Sequence, residues 1–304
     1  MIQVKTDKKN INGILLVDKP KDISSFAALK ILKKNLNIKK IGHAGTLDPL
    51  ATGLLIVCIG KATKLVKYFE KFEKEYIANI HFGITTDTYD AEGKTISESQ
   101  VELTPEIIKN VLLTFKGQIE QMPPIYSAIK IKGKPAYKYA REGKEVELKK
   151  RVVNIYEIEL LNFVSPFCEI RVKCSKGTYI RSLAYDLGQM LGCGGHIKDL
   201  RRTKAGIFSI EQAVNVDEKC DVLKKKIIPV NESISFLPYI IIKNEYKQKI
   251  LNGIKPEPDF FQSDFNNAEG LYRLVDEKQS LLAITRFNFK TGFKFEKVFN
   301  SGNI

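Results

Sequence analysis

Two stretches of this chain carry the pattern of half-buried strands. In KEYIANIHFG (74–83), Tyr76, Ala78, Ile80 and Phe82 fall on one face. In FCEIRVKC (167–174), Ile170, Val172 and Cys174 face one way while Glu169, Arg171 and Lys173 face the other. A period of two suits an antiparallel sheet with one face wetted. LLIVCIG (54–60) is apolar until its closing glycine and reads as a buried strand, and INGILLVDKP (11–20) as a strand ending in the turn Lys19-Pro20. Helical patterns lie between them. SSFAALKILKKNL (24–36) opens on a serine cap and repeats Phe26, Leu29, Ile31 and Leu32; TPEIIKNVLLTF (104–115) has Pro105 in its first turn; SLAYDLGQML (182–191) stops at Gly192. No regular alternation of strand and helix appears. The spacing therefore predicts an α+β fold with a mixed, largely antiparallel sheet.

The chain has 304 residues, enough for two domains. A boundary is expected near Phe236-Leu237-Pro238, separating residues 1–236 from a unit of residues 237–304. Beyond it YIIIK, LYRLVD, LLAITRF and FKFEKVF alternate with turn signals, which predicts a small β-rich barrel. No apolar run approaches the roughly 20 residues of a membrane-spanning helix. The N-terminal segment does not read as a signal peptide. The five cysteines form no CxxC pair, so a reducing, cytoplasmic setting is expected. The net charge is +14, the footprint of a polyanion binder. Residues 235–304 hold ten basic and eight acidic residues, so the excess lies almost wholly in the first 234.

The segment GHAGTLDPLATGLL (42–55) has three glycines and one full charge, Asp48. Asp-Pro can cap a helix, and that local reading stays open. It leaves Gly42 and Gly45 unexplained, since glycine permits positive φ or close approach to a ligand. A solitary carboxylate in apolar surroundings has a raised pKa, and to act as an anion it needs a cation from elsewhere in the chain. Other chemistries fit poorly. His43, His81 and His196 are not at metal-ligand spacing. Gly60-Lys61 lacks the hydroxyl residue and the upstream glycine of a phosphate loop, and there is no GxSxG elbow.

GHAGTLDPLATGLL resembles, nearly letter for letter, the catalytic loop of the bacterial tRNA pseudouridine synthase B family. GILLVDKP, EKEYIANIHFG, QMPPIYSAIKIKGKPAYKYAREG, CSKGTYIRSLAYDLG and HIKDLRRTKAGIF resemble further segments of that family in order, across almost the whole chain. The tail resembles a small PUA domain, on weaker motifs. The resemblance implies a pseudouridine synthase fold and isomerisation of the uridine at tRNA position 55, without cofactor or metal. The N1–C1′ bond breaks and the uracil rejoins through C5, with the base flipped out of its stack.

The resemblance also implies roles. Asp48 is the nucleophile, attacking C1′ or adding to C6, and both paths stay open. Arg181 pairs with it, and Tyr76 stacks on the extruded uracil. From the residues alone, Tyr76 also reads as a core aromatic and Arg181 as a surface residue. His43, Tyr179 and Leu200 are implied to contact the flipped nucleotide, and Lys19 and Pro20 to shape the pocket edge. Residues 125–151 correspond to an RNA-gripping insertion in which Lys130, Lys132 and Arg141 meet phosphates between tyrosines; a solvated basic hairpin is the plainer reading. The expected partner is the T-arm of tRNA, with no membrane and no obligate protein partner, the chain acting as a monomer. Two rival readings are a non-catalytic RNA-binding module and a guide-dependent synthase of the dyskerin type.

Overall fold

The computed structural model describes residues 11–127, 129–131, 133–144, 147–263, 265 and 268–299. Its larger part is built on β1 (Gly13–Lys19), β2 (Ile41–Ala44), β3 (Thr52–Ile59), β4 (Lys74–Phe82), β5 (Ile84–Thr86), β6 (Thr95–Glu98), β7 (Gly117–Gln121), β8 (Lys130–Ile131), β9 (Lys134–Pro135), β10 (Arg151–Val164), β11 (Phe167–Cys174), β12 (Gly195–Ala205), β13 (Phe208–Ser209) and β14 (Val214–Asn215). The main sheet runs in the order β14-β1-β3-β12-β4-β11-β10-β7, with β2 added to β3 and β13 to β12. Among the described residues of this sheet, only β1/β14 and β3/β12 pair in parallel. The α+β, largely antiparallel expectation is borne out.

Every stretch predicted as a strand is one. The all-apolar run in β3 is buried on both faces, as such runs in sheet centres are. Leu55, Val57 and Ile59 join one core with Leu15, Val17, Ile80 and Val172, while Leu54 and Ile56 join a second with Ile14, Leu16 and Phe69. The helices Ser25–Asn35, Pro105–Thr114 and Ile180–Met190 contribute to the first core through Leu29, Ile108 and Leu183. Ser24 caps the first helix by accepting from Ala27 N at 3.1 Å, and Thr104 caps the second. Each such cap is worth about 1 kcal/mol. The apolar stripe of the first helix is Ala28, Leu29 and Leu32; Phe26, expected within it, is 64% exposed. Ser25 explains this. Its hydroxyl is tied to Leu47 of the neighbouring loop, which turns this end of the helix toward an open cleft lined in part by Phe26.

The C-terminal unit is β-rich, with β15 (Tyr239–Ile242), β16 (Gly270–Asp276), β17 (Leu281–Asn288) and β18 (Gly292–Val298). These are the four predicted strands. Among the described residues they form one sheet in chain order, with β15 parallel to β16, and not a closed barrel. One face has its own core around Ile242, Phe260 and Leu274. The other sends Val275, Leu281, Ile284 and Phe299 into the second core of the main sheet, beside Phe69 and Leu237. The two units therefore share apolar packing. No helix among the described residues is long and apolar enough to cross a membrane.

Candidate active site

Asp48 sits in the loop between β2 and β3. The residues after it bend straight into β3, so Asp48 caps no helix. The loop is pinned on both sides of the carboxylate. Ser25 Oγ donates to Leu47 O and accepts from Leu47 N, at 3.0 and 2.9 Å. Arg202 Nη2 donates to Gly45 O at 2.9 Å. Gly45 takes φ +84°, which an L side chain rarely adopts, whereas Gly42 lies in β2 without positive φ. The second glycine the loop needs is Gly53, where a Cβ would lie 2.3 Å from the Arg202 carbonyl.

Arg181 is the cation. It lies in the first turn of the helix Ile180–Met190, whose start is seated by a reciprocal pair: Tyr179 N donates to Gln121 Oε1 at 2.8 Å and Gln121 Nε2 donates to Tyr179 O at 3.0 Å. Arg181 Nε stands 3.0 Å from Asp48 Oδ2. Its N–H is not aligned for a hydrogen bond, so the contact is an ion pair. Nη1 donates to Asp90 Oδ2 at 3.1 Å and to Thr88 O at 3.1 Å, and Nη2 donates to Tyr126 O at 2.8 Å. Asp90 is fixed in turn, its Oδ1 accepting from Thr88 Oγ1 at 2.6 Å and from Glu92 N at 3.1 Å. One guanidinium thus serves two carboxylates.

Asp48 keeps 40% of its side chain open, yet protein crowds it enough that burial is the leading influence on its carboxyl. Burial pushes its pKa above the ordinary 3.8; Asp90 adds to the rise, while Arg181 and Lys19 oppose it. Asp48 and Arg181 line two adjoining cavities of about 310 and 630 Å³. Tyr76, Tyr179 and Leu200 share the first with them. His43 shares the second; its buried Nδ1 has no protein partner, and burial, then the Arg202 charge, lowers its pKa. Tyr76 is both core and site: 9% exposed, it lines the cavity, and burial raises its pKa.

Other expectations need correction. Lys19 is fully buried and lines neither cavity. Its ammonium donates to Pro20 O, Ile23 O and Pro49 O at 2.8, 2.7 and 3.3 Å, so it braces the turn and the Asp48 loop. Pro20 is exposed outside both cavities and supplies one of those carbonyls. In the insertion, Lys130 lies in β8 and Arg141 ends the helix Ala136–Arg141, with side chains outside the described residues; Lys132 is outside them altogether. Lys134 is ion-paired with Glu142, which Lys144 also meets at 3.1 Å.

Sequence reasoning missed Asp90 and Arg202. Asp90 lies in the turn-rich stretch TTDTYDAEG, where nothing local marks one carboxylate from another. Arg202 was within reach: two residues beyond Leu200 in a strand, it shares that residue's face. Among the described residues no group of three His, Cys, Asp or Glu is placed to hold a metal ion.

Residues 33–180 match the TruB family pseudouridylate synthase (N terminal domain), and residues 181–233 match the tRNA pseudouridylate synthase B C-terminal domain. A tRNA pseudouridine synthase B of Francisella tularensis subsp. tularensis is 51% identical over 221 residues, covering 72% of this chain and 73% of the relative. One from Francisella philomiragia is 43% identical over 293 residues, covering 94% of each. Among solved structures, one from an H/ACA RNP bound to a substrate RNA containing 2′-deoxyuridine has a TM-score of 0.74 at 25% identity, covering 95% of this chain and 85% of that one. One from a Cbf5-Nop10-Gar1 complex has a TM-score of 0.73 at 28% identity, covering 94% and 84%. With its loop aspartate set against a buried arginine at the floor of a cleft, the chain belongs to the TruB family of pseudouridylate synthases.

Proposed function

We propose that the chain acts alone on tRNA, isomerising the uridine at position 55 of the T-loop to pseudouridine, in the cytoplasm and as a monomer. The observation that carries this reading is the Asp48–Arg181 ion pair at 3.0 Å, placed where both cavities meet. The uridine must leave its stack to reach Asp48. Arg181 Nε stands against Asp48 Oδ2, which leaves Oδ1 to face the nucleotide. That oxygen is the one available for attack on the nucleotide. The N1–C1′ bond breaks and a C5–C1′ bond forms, the bond made to Asp48 breaking in turn to return the carboxylate, and the proton lost from C5 is matched by one gained at N1. Tyr76 and Leu200 form an apolar wall for the turning uracil. The basic stretch 125–151 grips the RNA loop outside the cleft.

A second reading is a guide-dependent synthase, in which a guide RNA selects the uridine. The relatives named tRNA pseudouridine synthase B are closer in sequence, 43–51% identical against 25–28%, which supports guide-free action. Purified chain incubated with one unmodified tRNA transcript and no guide separates the readings. The expected product is a single pseudouridine at position 55. Turnover only with a guide would favour the second reading, and binding without turnover a non-catalytic module.

A further inference from the structure

Arg202 is a cation buried to 1% exposure, and what it holds is backbone. Its Nε donates to Leu54 O at 2.7 Å and its Nη2 to Gly45 O at 2.9 Å. Those two carbonyls bracket the segment that carries Asp48. In the sheet, Arg202 is also the direct cross-strand partner of Tyr76 in β4 and of Gly53 in β3. Directly opposed residues in neighbouring strands project to the same face, which sets the Arg202 and Tyr76 side chains side by side on one cavity wall; the Arg202 charge opposes the rise that burial imposes on the Tyr76 hydroxyl. Gly53, lacking a side chain, lets β3 lie against β12 at this point. Gly45, Tyr76 and Arg202 line the same cavity as Asp48.

We propose that Arg202 is a positioning residue of the isomerisation, setting the Asp48 loop and the Tyr76 hydroxyl at a fixed spacing across the cavity. This rests on the reading of the chain as a uridine isomerase. Arg202 makes its contacts from the strand lying between β3 and β4, so one planar group ties together two walls of the cleft. Lysine keeps the charge but has one nitrogen, and it cannot span Leu54 O, Gly45 O and Tyr76 together.

The test compares single-turnover rates on one tRNA transcript for the wild-type chain, Arg202→Lys, Arg202→Gln, Tyr76→Phe and each Arg202 variant combined with Tyr76→Phe. Thermal unfolding identifies the variants that fold, and tRNA affinity is measured alongside. Loss of a positioning contact is expected to slow Arg202→Lys by roughly 10- to 100-fold, while tRNA affinity stays within about twofold. In the Tyr76→Phe background the loss should shrink severalfold, because one of the groups Arg202 holds is gone. Arg202→Gln shows the same non-additivity if the lysine variant does not fold. Rates close to wild type, losses that simply multiply with that of Tyr76→Phe, or weakened tRNA binding at an unchanged rate would overturn the proposal. An inactive wild-type chain would sink the functional reading itself, before any variant is compared.

Discussion

Asp90 and Arg181 meet at 3.1 Å where their side chains are only 4% and 6% exposed. Removing one partner of a buried pair strands the other's charge, at a cost of about 3–5 kcal/mol. Asn in place of Asp90 keeps the shape and can still accept from Thr88 and from Glu92 N, so the loss should be nearer about 2–3 kcal/mol. Urea unfolding of Asp90→Asn measures it. Pseudouridine formation should also fall, by at least about tenfold, because Arg181 loses the anchor that fixes it beside Asp48. Wild-type stability and rate in this variant would remove Asp90 from the site.

Asp48→Asn should abolish product, by more than about a thousandfold, because the amide keeps the shape but is no nucleophile. Binding of tRNA should persist. Arg181→Lys should retain a cation yet lose most of the rate, on the order of a hundredfold, since one ammonium cannot serve Asp48, Asp90 and two carbonyls. Single-turnover assays with saturating enzyme check both, and a lysine variant as fast as wild type would show that charge alone suffices.

Lys19→Met should act on the loop from beneath. Methionine fills the stem's space but leaves the carbonyls of Pro20, Ile23 and Pro49 without their shared donor. Of these, Pro49 O still accepts from Asp22 N at 2.9 Å. The expected destabilisation is about 1–3 kcal/mol, with a slower chemical step and unchanged tRNA affinity. A selective loss of tRNA affinity would mean that Lys19 reaches the RNA after all.

Most strands were legible because burial imposes a period on the sequence, which β4 and β11 state without ambiguity; β3 was legible as a short all-apolar run closed by a glycine. Asp48 was legible as an anomaly, a charge among glycines. What it pairs with was not legible from spacing, because Arg181 is 133 positions away and the register that joins them is tertiary; only the family resemblance named it. The same limit hid Asp90, which reaches the site through its contact with Arg181, and Arg202, whose partners lie in β3, β4 and the loop. Lys19 was placed on the pocket edge by the family resemblance alone. Three carbonyls converging on one ammonium are invisible until the chain has folded.

The electrostatics of Asp48 set the pH dependence. Its carboxyl is held above 3.8, first by burial, with Asp90 adding to the rise and Arg181 and Lys19 opposing it. Between the ordinary and the raised value the folded chain binds a proton that the unfolded chain has released. This group's contribution to stability therefore falls as pH rises through that window, and acidification relieves the cost. Activity runs the other way, because the nucleophile must be ionised. The single-turnover rate should climb with pH through the raised pKa and level off above it. Asp90→Asn removes the like charge, so the acid limb should move toward lower pH even though the plateau rate is reduced. The rate is followed from acid to neutral pH with tRNA binding measured at each point, so that loss of RNA structure is not mistaken for loss of ionisation. A limb centred at or below 3.8 in the wild-type chain would show that burial does not raise this carboxyl, and one that stays in place in Asp90→Asn would show that the Asp90 charge does not act on it.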